Sequence, residues 1–304
     1  MSSGLFAAIE AGGTKFNCAI GRGPGDLRAT TRIPTTSPRE TIEACLAFFT
    51  AKLAEWGKPA AVGIASFGPL DLRPGSPTYG SITKTPKAGW SHVDLVTPFA
   101  LGLGVPAAID TDVNGAALAE GRWGAAQGLR NFIYLTVGTG IGGGAVVNGQ
   151  LVHGLIHPEM GHVRPIRHPR DSFHGVCAFH GDCLEGLASG PAMQGRWGRP
   201  ASELPVGHEG WSMEADYLAQ ALVSYICVLS PERIILGGGV VQQKAIFPLI
   251  RQRVAQLLND YIDSPAVTRE IDSFIVPAAL GDHAGVLGGI ALAASTTGPI
   301  QLQG

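Results

Sequence analysis

The densest chemistry in this sequence lies between residues 153 and 185. Six of its nine histidines fall there, His153, His157, His162, His168, His174 and His180, with Cys177, Cys183, Glu159 and Glu185 among them. Imidazole and thiolate are the ligands that suit Zn²⁺; four of them close a structural site, whereas a catalytic zinc keeps one position open. Cys177, His180 and Cys183 are evenly spaced, and His162, fifteen residues before Cys177, is the best fourth ligand. The cysteines do not form C-x-x-C, which argues against a thioredoxin-like redox pair. The plainer alternative is a set of structural histidines beside two buried thiols. Glu159 and His162 sit three residues apart, so fixing one fixes the direction of the other. The expectation is a closed structural metal site.

A second candidate is the acid in "AAIDTDVNGAALAE", where Asp112 follows a short apolar strand and opens an Ala-rich run. In α/β architectures ligands sit at the carboxyl ends of strands. The same residue could be no more than a helix N-cap. Asp110 and Asn114 compete for that structural role, and spacing alone leaves the choice open.

Glycine, with 43 residues, gathers in short bursts where backbone can approach a ligand closely. Two bursts belong to one repeated pattern. "FIYLTVGTGIGGGAVVNG" aligns without gaps to "FAAIEAGGTKFNCAIGRG", with Phe132 on Phe6, Gly138 on Gly12 and Ala145 on Ala19. "GTGIGG" satisfies G-x-G-x-x-G through Gly138, Gly140 and Gly143, and Glu159 lies near the distance of a ribose-binding acid. That fingerprint must open a helix, however, and "GAVVNG" is hostile to helix, so the match is rejected. No P-loop sequence occurs either. A glycine turn between two strands can still bind phosphate through successive N–H groups. The alternative is a pair of ordinary hairpin turns; the duplication, Thr14, Thr139 and Lys15 favour phosphate.

The elements that must carry these residues read as follows. Leu5 to Ile9 and Phe16 to Ile20 are two strands joined by a Gly-Gly turn. Ser37 is an N-cap, with Pro38 at the first helical position and Glu40 three residues after the cap. Ile42, Leu46, Phe49, Leu53 and Trp56 then follow at helical spacing. "AAVGIAS" and "PAAID" are buried strands, and Val113 to Trp123 favours helix. A second strand–turn–strand starts at Asn131, which suggests two related lobes. A helix in "EADYLAQALVSYICVLS", strands in "RIILGGGVV" and "SFIVPAAL" and a final helix-like run at 284–296 complete the chain.

Composition bounds the possibilities. A chain of 304 residues, 45% hydrophobic and 15% charged, is a soluble globular protein of two domains or lobes. Its net charge of −2 and lack of basic runs argue against nucleic acid as a partner. No signal peptide or bilayer-length apolar run is present, so no membrane association is expected and the cytoplasm is the expected compartment. Cys18, Cys45 and Cys227 sit in apolar stretches and read as small buried hydrophobes.

Together these residues resemble the ROK family of sugar kinases, and within it the zinc-containing bacterial fructokinases. The resemblance covers nearly the whole chain and rests on "IEAGGTK", "GIASFGPLDL", "TPKAGW", "DTDVNGAALAE", "VGTGIGGGAVVNG", "HPEMGH", "CAFHGDCLEGLASGPA", "ILGGGV" and "GVLGG". It implies an α/β fold of the actin-like ATPase (ribonuclease H-like) type, two lobes with an interlobe active-site cleft. The lobes are expected at 1–112 and 113–283, with a C-terminal helix at about 284–304 packing back on the first. By the resemblance Asp112 is the catalytic base, and Glu159, Glu185 and Thr111 meet sugar hydroxyls. His162, Cys177, His180 and Cys183 hold the structural Zn²⁺. Gly12, Gly13, Thr14 and Lys15 form one phosphate loop, Gly138, Thr139 and Gly140 the other, and Gly237, Gly238 and Gly239 lie by the adenosine. The family pattern at the base reads acid-Asn-Asp, and here Asp110-Thr111-Asp112 departs from it.

The implied activity is ATP- and Mg²⁺-dependent phosphorylation of a hexose, D-fructose first, by an enzyme that in such families commonly forms a homodimer. Glucose, mannose or an N-acylated hexosamine are the alternative substrates of the same family. A sugar-responsive transcriptional regulator needs a helix-turn-helix ahead of the first glycine loop, and that loop starts at residue 10.

Overall fold

A computed structural model describes residues 4–296. The chain divides into two compact units. Unit 1 holds the described residues through Gly128, the segment Leu151–Pro158 and the chain from Leu280; unit 2 holds Leu129–Gln150 and Glu159–Ala279. The division therefore falls after residue 128 and not after 112, because the helix that Asp112 opens packs within unit 1.

Unit 1 is built on a five-stranded sheet. Its strands are β1 (Phe6–Ala11), β2 (Lys15–Gly23), β3 (Asp26–Pro34), β4 (Ala61–Ser66) and β5 (Ala107–Thr111). They lie in the order β3-β2-β1-β4-β5, with β1–β2 and β2–β3 antiparallel and β1–β4 and β4–β5 parallel. Helix α1 (Pro38–Trp56) begins where the capping signal expects it, with Ser37 Oγ accepting the Glu40 N–H. Its Ile42, Cys45 and Phe49 are buried in one core with Phe16, Ile64, Trp90 and Phe99. α2 (Val96–Leu103) adds Phe99 and Leu103 to that core.

On the other face lie α3 (Asp112–Trp123) and a final helix in Ala284–Ser295, which packs on α3, β1 and β4. Glycine makes this approach possible. A Cβ at Gly63 would stand 1.9 Å from the carbonyl oxygen of Gly289, so no other residue fits there without displacing backbone. The remainder of the expected C-terminal helix, 297–304, lies outside the described residues.

Unit 2 repeats the plan. Its strands β6 (Phe132–Val137), β7 (Ile141–Val147), β8 (Gln150–Leu151), β9 (Arg233–Gly237) and β10 (Ile275–Pro277) lie in the order β10-β9-β6-β7-β8. β6–β7 is antiparallel and β6–β9 and β9–β10 are parallel, the pattern of unit 1 again. The helices include α4 (Leu184–Ala188), α5 (Gly190–Trp197), α6 (Gly210–Leu229) and α7 (Ile246–Leu258).

The two hairpins begin 126 residues apart and differ in register. Ala11 pairs with Phe16, but Val137 pairs with Ile141, so the first turn has four residues and the second three. Cys18 and Cys45 are buried as expected, whereas Cys227 is exposed. It lies near the end of α6 beside Val228, on the helix face away from the core. Among the described residues no helix is long and apolar enough to cross a membrane.

Candidate active site and metal centre

Asp112 is the first helical residue of α3, not its cap. The cap is Thr111, whose Oγ1 accepts the Asn114 N–H at 3.1 Å. Thr111, expected at a sugar hydroxyl, is buried and has its oxygen committed to this bond. Asp112 is thus left with Oδ1 on the Val113 N–H at 2.9 Å. Burial, aided by the nearby charge of Glu10, pushes the Asp112 carboxyl up to about 7, against the pull of the Val113 N–H.

Glu10 did not stand out in the sequence. It lies on β1, takes a hydrogen bond from Asn17 Nδ2 at 2.7 Å, and fills the space over Gly285 so closely that a Cβ there would stand 2.0 Å from its carboxyl carbon. Glu10 thus lies near enough for its charge to act on Asp112 within unit 1.

Asp110 resolves the competition among the three polar neighbours. It is buried, and its Oδ1 accepts the Thr111 N–H at 2.8 Å and Asn114 Nδ2–H at 2.7 Å. Its Oδ2 lies 2.9 Å from His153 Nε2.

Each glycine turn leaves N–H groups available. In the first, Gly12 N–H closes on the Lys15 carbonyl, while Thr35 ties down the carbonyls of Gly12 and Thr14. The N–H groups of Gly13 and Thr14 find no acceptor among the described residues. In the second, Gly138 N–H closes on the Gly140 carbonyl and the Gly190 N–H takes the Gly138 carbonyl. The N–H groups of Thr139 and Gly140 are similarly without acceptor among the described residues. Gly238, at φ +92°, presses on Val137, and a Cβ at Gly138 would lie 3.8 Å from the Gly239 nitrogen. Gly237 leaves room for the Tyr134 ring, so this third glycine run abuts the second turn.

Of the six histidines, two join the cysteines. The ligand atoms of His162, Cys177, His180 and Cys183 all lie within 4.8 Å of one another. His162 Nδ1 stands 3.4 Å from Cys183 Sγ and 3.8 Å from Cys177 Sγ, and His180 Nδ1 stands 3.6 Å from Cys177 Sγ. A tetrahedral centre with zinc-like bond lengths needs ligand atoms about 3.3–3.8 Å apart, so the donor set fits such an ion. Burial pushes the Cys183 thiol up to about 11, so a metal must displace its proton. The other ring nitrogen of His162 faces Glu159 at 3.9 Å. Cys183 is the N-cap of α4, which puts Glu185 in the first turn with Oε2 on the Ile141 N–H at 3.0 Å.

The remaining histidines belong elsewhere. His153 and His157 are part of unit 1, where buried His157 Nε2 accepts the Leu70 N–H at 3.1 Å. His168 Nδ1 accepts the Arg170 N–H, and His174 is exposed.

Two sheets of identical strand order, each an antiparallel hairpin leading into parallel strands with helices alongside, make this an actin-like ATPase fold of the α/β class. A solved ROK hexokinase from Thermus thermophilus matches with a TM-score of 0.76 at 26% identity, covering 96% of this chain and 99% of that one. The chain belongs to the ROK family, whose profile matches residues 6–296. A fructokinase of Zymomonas mobilis is 45% identical over 95% of this chain and 96% of its own length. A fructokinase of Pediococcus pentosaceus is 43% identical over 95% and 97%.

Proposed function

We propose that this protein is an ATP-dependent hexokinase that transfers phosphate to the 6-hydroxyl of D-fructose. The observation that carries the reading is Asp112: an acid at the carboxyl end of β5 with its pKa moved to about 7. The two fructokinases named above, similar over almost their whole length, support fructose as the substrate.

Asp112 accepts the proton of the sugar hydroxyl as that oxygen attacks the γ-phosphorus and the β–γ bridging bond breaks. A base dissociating near the working pH suits this task. The N–H pairs of Gly13 with Thr14 and of Thr139 with Gly140 donate to phosphate oxygens, each turn acting as a small anion nest. Lys15 adds a positive charge at the first turn, and Gly237, Gly238 and Gly239 leave backbone room for the nucleoside. Glu10, whose charge acts on Asp112, would hold Mg²⁺ as a hard oxygen ligand; the ion, when bound, offsets phosphate charge.

Glu159 and Glu185 accept hydrogen bonds from sugar hydroxyls. His162, Cys177, His180 and Cys183 would hold Zn²⁺ in a closed structural site that keeps both acids in place. Such an enzyme works in the cytoplasm, where ATP is supplied.

A coupled ATP assay across fructose, glucose, mannose and N-acetylmannosamine, with metal analysis of the purified protein, tests the reading. Fructose is expected to give the highest kcat/KM. A higher value on any other sugar overturns the substrate, and ATP turnover on none of them overturns the activity.

A further inference from the structure

The segment Leu151–Pro158 leaves β7 and β8 of unit 2 yet packs as part of unit 1. Two histidines fasten it. His157 is buried and takes the Leu70 N–H, while His153, 40% exposed at its side chain, reaches the Asp110 carboxylate at 2.9 Å. Asp110 is the pivot of this arrangement. One of its oxygens accepts both the Thr111 N–H and the Asn114 amide, residues on either side of Asp112. Its other oxygen has His153 as its partner.

We propose that His153 is a positioning residue for phosphoryl transfer: through Asp110 it locks the β5–α3 junction and so sets the place of Asp112. The inference rests on the reading of Asp112 as the base. Its physical logic is as follows. A carboxylate that bridges a strand end and the first turn of a helix holds that turn only while its own orientation is fixed. Two donors on Oδ1 leave the carboxylate free to pivot about that oxygen, and a donor on Oδ2 stops the pivot. The hydrogen bond to Asp110 raises the basicity of His153, and the charge of Asp110 also acts on Tyr79 and His157, so the corner is polar on several sides. His153 is the donor that comes from a distant part of the chain, 43 residues away.

The test uses the full-length enzyme with His153→Ala, His153→Gln and, alongside, Asp112→Asn. Misplacing a reacting group by about 1 Å lowers turnover on the order of a hundredfold. His153→Ala is therefore expected to lower kcat by about tenfold to a hundredfold with KM for ATP within about twofold. Glutamine places an amide N–H where Nε2 stood, so His153→Gln is expected to recover most of the lost kcat. Wild-type kcat in the alanine variant overturns the positioning role. So does an equal loss in both variants, since the ring would then act on the substrate itself. A loss of kcat smaller than about tenfold in Asp112→Asn overturns the base assignment instead, whatever the His153 variants do.

Discussion

The Glu185 carboxylate accepts the Ile141 N–H at 3.0 Å, so an acid two residues beyond Cys183 is fastened to the strand that leaves the second glycine turn. The link runs from the Cys/His cluster to α4, from α4 to Glu185, and from Glu185 to the turn. A disturbance at the metal centre therefore reaches the glycine turn through one side chain.

With the Cys/His cluster holding the Zn²⁺ proposed above, removal of that ion is the direct test of the link. Chelation, or Cys183→Ala, is expected to raise KM for the sugar by about tenfold, in line with losses seen when supporting shells of metal sites are removed. Stripping should become easier as pH falls, because protons compete with the metal for the thiolates. Metal content and sugar KM measured on the same samples decide the matter. An unchanged KM in zinc-free protein counts against the bracing role.

Gly140 gives a finer test. A Cβ there would stand 2.7 Å from Glu185 Oε2, so Gly140→Ala must push that carboxylate off the Ile141 N–H. Sugar KM is expected to rise by several-fold to tenfold, with zinc content unchanged, since the ligands are untouched. Loss of zinc in this variant would show that the turn and the cluster are coupled more broadly.

With Asp112 as the proposed base, its carboxyl governs the expected pH response. Its carboxyl is raised from 3.8 to about 7, so kcat/KM is expected to climb with pH up to about 7 and level off above it. Asp112→Asn is expected to lower kcat by about 10²–10⁴. The same shift predicts a stability effect of opposite sense. Between pH 3.8 and 7 the folded protein holds a proton that the unfolded chain has released, so this group weakens the fold as pH rises. The Tm of Asp112→Asn should match wild type near pH 4, pull ahead up to pH 7, and keep a constant lead above that.

Glu214 repeats this logic without any role in the site. It is fully buried on α6, both carboxyl oxygens lack partners among the described residues, and burial raises its pKa well above the ordinary value. Glu214→Gln should gain on wild type in Tm as pH rises above the ordinary carboxylate range. A Tm difference that does not change with pH would mean that Glu214 is ionised in the folded protein.

Much of this was legible from residue order because local signals agreed with tertiary placement. Ser37-Pro38-x-Glu40 caps α1, and ligand type and spacing alone pick out the four residues whose donor atoms gather within 4.8 Å of one another. The self-match of the two hairpins is now a duplicated sheet, though the one-residue difference in turn length was invisible to a gapless alignment. β3 escaped notice because "DLRATTRIP" is a half-exposed edge strand carrying Arg28, Thr30 and Arg32 on its outer face, with no apolar run to mark it. Glu10 and the Asp110–His153 pair were missed for a different reason. Their significance lies in partners far off in sequence, Asp112 for one and Asp110 for the other, and no local pattern encodes such meetings. The cluster of six histidines likewise concealed that two of them serve unit 1.

The close contact of Gly63 with Gly289 has a bearing on how the protein is made. Unit 1 begins before unit 2 but is covered on one face by the helix at Ala284–Ser295, which a ribosome delivers only after all of unit 2. Until then the cluster of Phe6, Ala8 and Ala119 on that face lacks Val286, Leu287 and Ile290, which complete it. Unit 2, whose residues run only from Leu129 to Ala279, is fully synthesised sooner. Vectorial synthesis thus favours completion of the second unit before the first, and leaves the sheet of unit 1 in need of shelter until that helix emerges.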